Sequence, residues 1–291
     1  MTRVATHPGG FHADDVFAVA VLGLAHGALE VVRTREEARL AEAAFRVDVG
    51  GRFDAASGDF DHHQRGGAGE RANGVRYASF GLVWREYGAA LAGSEDAARA
   101  IDERLVQGVD ANDTGQTIST ALVEGIRPLS VSGAIAAMNV LWDEQADEDA
   151  RFLEAVDWAT GVLERELAGA RAFQRAQTLV REAIARAEDP RVIELDRKLP
   201  WHEAVVTAAP AALYVVYPKS DGWALMAVPR ALGEFENRRD LPAAWAGLSG
   251  PQLVATTGVP DALFAHAKRF YASAASRDGV LALARLAVAG E

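Results

Sequence analysis

Arg3-Val4-Ala5-Thr6-His7-Pro8-Gly9-Gly10-Phe11-His12-Ala13-Asp14-Asp15 opens on a short β-type run, turns at Pro-Gly-Gly, and leads into the polar start of an apolar helix. Its reading decides the fold. The pattern predicts a strand over Arg3–His7 and a helix over Asp14–Ala25, followed by a strand over Glu30–Thr34 and a helix over Arg35–Ala44. A third strand over Phe45–Val49 ends in Gly50-Gly51. Such a βαβαβ rhythm implies a parallel sheet with helices on its faces. In sheets of this kind ligands sit beyond the carboxyl ends of the strands, so His7 and Asp48 are expected on one rim.

Beyond this opening, helical patterns cover Ser79–Leu91, Glu95–Asp110 and Ser130–Trp142, and an Ala/Arg/Glu-rich stretch over 147–188 reads as a connector. The pattern then changes to β-type runs at Val192–Leu195, Leu213–Pro218 and Trp223–Val228, with a terminal helix over Arg277–Val288. A boundary near Pro190 gives an α/β catalytic domain with its helical connector over 1–188 and a smaller α+β domain over 189–291.

Composition narrows the class. With 291 residues the chain can bury sizeable cores unaided, and with 0 cysteines it has neither disulfides nor thiolate metal sites. No apolar run approaches the ~20 residues of a membrane span, and the first residues lack the pattern of a signal peptide. A soluble, cytoplasmic protein with no membrane partner is the expectation. The net charge is −11, all of it in residues 1–188, which hold 19 basic and 30 acidic residues. Net acidity opposes non-specific attraction to polyanions.

Chemistry concentrates near the start. His7, His12, His62 and His63 fall within the first 63 residues, each near carboxylates. Imidazole and carboxylate together suit divalent first-row metals, and two such ions side by side suit hydrolytic attack at phosphorus. Taken alone, Asp14 is an ordinary helix cap and Asp48 a loop residue satisfied by the Gly50 and Gly51 amides. A carboxylate ending a buried strand is costly, however, unless paired or metal-bound. Adjacent side chains diverge, so one histidine of the His62-His63 pair can bind metal while the other faces substrate. Arg65 can meet a phosphate oxygen with its planar fork. Asp110 opposes the dipole at the end of a helix, which marks it as functional, whereas Asp113 is read as support for the turn.

His7-x4-His12-x-Asp14, Asp48-Val-Gly-Gly51, Asp61-His62-His63-Gln64-Arg65-Gly66 and Asp110-Ala-x-Asp113 resemble the four ordered motifs of the DHH phosphoesterase superfamily. Within it the chain looks most like the melanocyte-proliferating-gene (Myg) family. The likeness extends to Leu213–Pro218, Arg239-Asp-Leu-Pro242, Trp245-x-Gly247-Leu248 and Phe264-x-His266. It implies two Mn²⁺ (or Mg²⁺) ions per chain, one held by His7, His12 and Asp48, the other by Asp14, Asp48, His62 and Asp110. Asp48 would bridge them, and His63 with Arg65 would face the scissile phosphate.

The implied activity is a dinuclear-metal phosphoesterase acting as a 3′–5′ exonuclease on RNA or short oligonucleotides. An inorganic pyrophosphatase or small-nucleotide phosphodiesterase is the alternative, and a non-catalytic metal-binding interaction protein is the reading of another class. A homodimer is compatible with either. One departure stands out, because relatives carry a Gly-Gly-His-type loop where this chain has Phe270–Ser276. Substrate grip is therefore expected from Arg238, Arg239, Lys268 and Arg269. Trp245 and Tyr271 are either base-stacking platforms or core.

Overall fold

A computed structural model describes residues 1–126 and 128–290. The opening run forms strand β1 (Thr2–Thr6), and the apolar stretch after it forms helix α1 (Ala13–His26). Every residue of α1 from Ala13 to Leu22 is buried, as expected of a helix apolar on all sides. Strands β2 (Leu29–Arg33), β3 (Phe45–Val47), β4 (Phe53–Asp54) and β5 (Asp59–Phe60) complete a mixed sheet in the order β2-β1-β3-β5-β4, with α2 (Glu37–Ala41) between β2 and β3. β1 runs parallel to β2 and β3, and β3 parallel to β5, while the edge strand β4 is antiparallel. The chain passes from β1 to β2 on one side and returns to β3 on the other. The order therefore reverses between β1 and β3, the switch point where such sheets open a crevice.

Helix α3 (Ser79–Ala92) packs on α1, with Phe17 and Phe80 stacked at a centroid distance of 5.0 Å. Fully burying side chains of this size contributes about 2–3 kcal/mol each. The helix expected over Glu95–Asp110 forms as α4 (Glu95–Ile101), a π-helical turn (Asp102–Val106) and α5 (Gln107–Asp113). Ser130–Trp142 forms only the short helix α6 (Val131–Ala136), started by the Ser130 side chain accepting from Gly133 N. β4 and β5, two residues each, are too short to leave a periodic signal in sequence.

Helix α7 (Glu148–Arg186) serves two cores. Phe152, Ala155, Ala159, Leu163 and Leu167 recur at helical spacing in the first, and Val180 and Ala183 belong to another. The compact units are Met1–Arg171 and Ala172–Glu291. This division falls inside the helix, whose Val180 and Ala183 pack in a core of the second unit.

In that second unit β6 (Val192–Glu194), β7 (Tyr214–Lys219), β8 (Gly222–Ala227), β9 (Ala262–Ala265) and β10 (Tyr271–Ala274) form a mixed sheet ordered β6-β7-β8-β10-β9. β7 alternates strictly. Tyr214 and Val216 enter a core shared with α9 (Gly250–Thr257) and α10 (Arg277–Ala289), while Val215 and Tyr217 enter one shared with Val180 and α8 (His202–Ala208). Burial on both faces explains its unbroken apolar run. Phe270–Ser276, where relatives carry a Gly-Gly-His-type loop, contains β10, paired on both sides by β8 and β9. Trp245 is buried in this core.

Candidate metal centre

Three adjacent parallel strands deliver the cluster. His7 follows β1, Asp48 follows β3, and Asp61-His62-His63 follows β5, so all lie where strands end on one edge of the sheet. The register Val47↔Phe60 sets Asp48 beside Asp61. Asp48 adopts φ 55°, a left-handed conformation uncommon outside glycine but tolerated by Asp and Asn. That turn aims its carboxylate back over the strand ends.

Asp48 is 2% exposed and faces two ways. Its Oδ2 lies 3.4 Å from His7 Nε2, and its Oδ1 lies 3.2 Å from His62 Nε2, 3.3 Å from His63 Nδ1 and 3.1 Å from the Ser79 hydroxyl. His7 keeps Nδ1 3.1 Å from the Pro8 carbonyl, a contact that leaves Nε2 for the cluster. His12 Nδ1 stands 3.4 Å from Asp113 Oδ1, and His62 Nε2 is 3.0 Å from Asp113 Oδ2 and 3.8 Å from Asp14 Oδ2. The donor atoms of His7, His12 and Asp48 lie within 4.8 Å of one another, as do those of His12, Asp14 and Asp113 and those of Asp48, His62 and His63.

Asp61 plays a supporting part. Its Oδ2 accepts from Gly51 N at 2.6 Å, and its Oδ1 accepts from His63 N at 3.0 Å and stands 2.8 Å from His63 Nδ1. This leaves His63 Nε2 turned away from Asp61, on a side chain that is 61% exposed. Arg65 is exposed, and no ion pair holds it among the described residues.

Electrostatics test whether these groups fit cations. Burial first, then the charges of Asp48, Asp113 and Asp15, push the Asp14 carboxyl well above its ordinary range. Burial likewise raises Asp15 to about 7, against the pull of His7. Asp48 is held far below the carboxylate range, because contacts with His62, His63 and His7 outweigh its burial. His62 rises to about 10: burial would lower it, but Asp113 and Asp48 prevail. Buried carboxylates that raise one another, with Asp14 Oδ1 lacking any hydrogen bond, are what a divalent ion relieves. His7, His12, Asp14, Asp48, His62 and Asp113 fit the group in donor type and grouping.

Asp110, expected as a ligand, stands elsewhere. Its Oδ1 accepts from Gly81 N at 2.9 Å and its Oδ2 pairs with Arg71 Nη1 at 2.9 Å, a salt bridge within the core. Asp113, one helical turn on, reaches the histidines instead. Both lie on one face of α5, and the sequence carries no signal telling which is anchor and which is ligand. Asp113→Asn is expected to weaken Mn²⁺ binding about tenfold or more, whereas Asp110→Asn should spare it and lower stability by about 2 kcal/mol or more. Titration calorimetry beside denaturant unfolding reads both, and equal metal loss in the two variants would reverse the assignment. Asp15, absent from the expected ligands, stands 3.3 Å from His7 Nε2 while its other oxygen accepts from His12 N.

The C-terminal cations also differ from expectation. Arg238 gives both terminal nitrogens to the carbonyls of Val206, Ala209 and Ala212 at and beyond the end of α8. Arg239 donates to the Val288 carbonyl in α10, and Arg269 pairs with Asp240 at 2.6 Å. Lys268 and Arg239 are exposed without an ion pair among the described residues, and of the two Arg239 is held by its carbonyl contact. A guanidinium completing a helix C-terminus is a stabilising device. Arg238→Ala should therefore cost about 1–3 kcal/mol of stability, read as a lowered urea midpoint. An unchanged midpoint would return Arg238 to the pool of ligand-binding candidates.

Fold and cluster together define an α/β protein that gathers imidazoles and carboxylates where parallel strands end. The family model described as MYG1_exonuc, Uncharacterised protein family (UPF0160), matches residues 3–288, and the chain belongs to that family. It is 30% identical over 328 residues to a mouse (Mus musculus) protein named MYG1 exonuclease, covering 99% of this chain and 85% of that one. It is 34% identical over 270 residues to the MYG1 protein of Chlamydia trachomatis, covering 90% and 88%. A solved pGpG-specific phosphodiesterase, PggH from Vibrio cholerae, aligns over 99% of this chain and 98% of its own at 12% identity, with a TM-score of 0.34.

Proposed function

We propose that this protein is a phosphoesterase using two divalent ions, Mn²⁺ or Mg²⁺, and acting as a 3′–5′ exonuclease on RNA or short oligonucleotides. The observation that carries the reading is Asp48, whose two carboxylate oxygens face separate sets of donors, His7 on one side and His62 on the other. His7, His12 and Asp48 would hold one ion, and Asp14, Asp48, His62 and Asp113 the other. When bound, such a pair lowers the pKa of water and offsets charge on the phosphoryl oxygens.

The chain's own groups do the rest. Asp61 orients His63 so that the imidazole faces outward beside the cluster, and Arg65 follows two residues later with its guanidinium uncommitted. Both would take charge that builds on phosphoryl oxygen during in-line attack. A relative named MYG1 exonuclease, at 30% identity, supports the exonuclease part of this reading.

A second reading, a pyrophosphatase or small-nucleotide phosphodiesterase, has one observation in its favour. Arg238, Arg239 and Arg269 are engaged with protein groups, which makes them less free to grip a long polyanion.

The test is a substrate panel of pyrophosphate, dinucleotides, and 3′- or 5′-labelled RNA and DNA, with Mn²⁺ and after chelation. Stepwise release of mononucleotides from the 3′ end of RNA, lost on chelation and restored by Mn²⁺, is expected. Rapid cleavage confined to pyrophosphate or dinucleotides would move the assignment to the second reading. No metal-dependent hydrolysis of any member would overturn both.

A further inference from the structure

Of the candidate ligands, His12 is the one that packing does not hold. Its side chain is 64% exposed, against 8% for His7, 2% for Asp48, 10% for His62 and 12% for Asp113. It closes the turn Pro8-Gly9-Gly10-Phe11-His12, in which Gly9 sits at φ 86°. A turn with two adjacent glycines has little stiffness of its own. Where His12 stands must therefore be set by whatever fixes the backbone of this turn.

Asp15 Oδ1 accepts from His12 N at 3.0 Å on the helix side, and on the turn side two side chains from distant parts of the chain hold the backbone. The Arg33 side chain, 2% exposed, donates to the Gly9 carbonyl and lies over the Phe152 ring at 4.9 Å. Asn139 acts closer to the ligand. Its Oδ1 accepts from Phe11 N at 2.8 Å, and its Nδ2 donates to Phe11 O at 2.9 Å. A carboxamide that closes both backbone groups of one residue fixes its position and its rotation together. Asn139 is itself anchored, since Nδ2 also reaches the Ala136 carbonyl at the end of α6, and Ile135 of that helix is buried in the core. The departure of the chain from helix after Ala136 gains a meaning here, because it presents Asn139 to the turn.

We propose that Asn139 is a positioning residue of the candidate metal centre, holding Phe11 so that the exposed His12 imidazole meets the same ion as His7 and Asp48. The proposal rests on the metal reading given above. Outer groups that orient a ligand in this way are typically worth about 10–100-fold in metal affinity.

Calorimetric titration with Mn²⁺ alone tests it on the full chain, in wild type, Asn139→Ala, Asn139→Asp, His12→Ala and the double variant His12→Ala/Asn139→Ala. Asn139→Ala is expected to weaken one class of Mn²⁺ site about 10–100-fold. The isosteric Asn139→Asp keeps the acceptor for Phe11 N and loses the donor to Phe11 O, so a smaller loss is expected, and it remains readable should the alanine variant fail to fold. The double variant discriminates. If Asn139 acts through His12, removing it from His12→Ala should cost nothing further, whereas a general structural role gives additive losses. Additive losses, or Mn²⁺ affinities within about twofold of wild type in both single Asn139 variants, would overturn the proposal. A wild-type chain that binds no Mn²⁺ would overturn the metal reading and this one with it.

Discussion

Asp48→Asn is expected to leave a folded protein that holds fewer than two Mn²⁺ ions per chain and hydrolyses its substrate at least about 10³-fold more slowly. Asparagine is the informative choice. Asp48 sits at φ 55°, where Asn is nearly as tolerant as Asp, while alanine would add backbone strain unrelated to charge. The Ser79 hydroxyl still finds an acceptor in the amide, so the local hydrogen bond persists. What disappears is the negative charge between His7 and His62, the feature that would let one side chain serve two ions in the proposed centre. Metal content by plasma emission and turnover on labelled RNA read the two effects separately. Retention of both ions with full activity would eliminate the dinuclear account.

The second large effect separates neighbours. His62→Ala should lose metal, whereas His63→Ala should keep both ions and lose on the order of 10²–10³-fold in turnover with little change in KM. The reason is the partner set. His62 Nε2 stands among Asp14, Asp48 and Asp113, while His63 commits its backbone N–H and points Nδ1 toward Asp61. His63 Nδ1 also stands 3.3 Å from Asp48, so the measurement is a fair contest rather than a formality. Equal loss of metal in the two variants would make His63 a ligand and remove the proposed role in charge stabilisation.

Much of the first unit was legible because its signals are local. A short apolar strand, a turn, and a helix opened by two aspartates together dictate the βαβ start, and strand ends dictate which residues share a rim. The same logic put His7 and Asp48 on one rim from sequence positions far apart, whereas His62, which follows a strand too short to be read, joined them only through the family resemblance. What stayed hidden depends on side-chain direction. Asp110 and Asp113 are three residues apart on one helix, and only the position of Gly81 N and Arg71 decides which turns inward. That Arg238 and Arg239 donate to helix carbonyls could not be read from sequence either, because unpaired cations and helix-capping cations have the same letters. Phe270–Ser276 stands where relatives carry a loop, yet Tyr271–Ala274 form a strand paired on both sides, and its Ala272 and Ala274 share a core with α10.

The Asp110 anchor has a consequence for anyone who would alter the centre. A side chain at position 81 would collide with the Asp110 carboxylate and the Arg71 guanidinium, so it could enter only by displacing that pair. Arg71 is in turn bound to Asp102 in the π-helical turn. The helix bearing Asp113 is thus locked in register before any ion arrives, and its locking parts touch no ion. Under the proposed metal reading, a change of cation preference would be sought at Asp113 and His12, which stand outside the Asp110–Arg71–Asp102 network. Gly81, Arg71 and Asp110 belong to the frame, and a library that varies them together with the ligands would sample mostly misfolded chains.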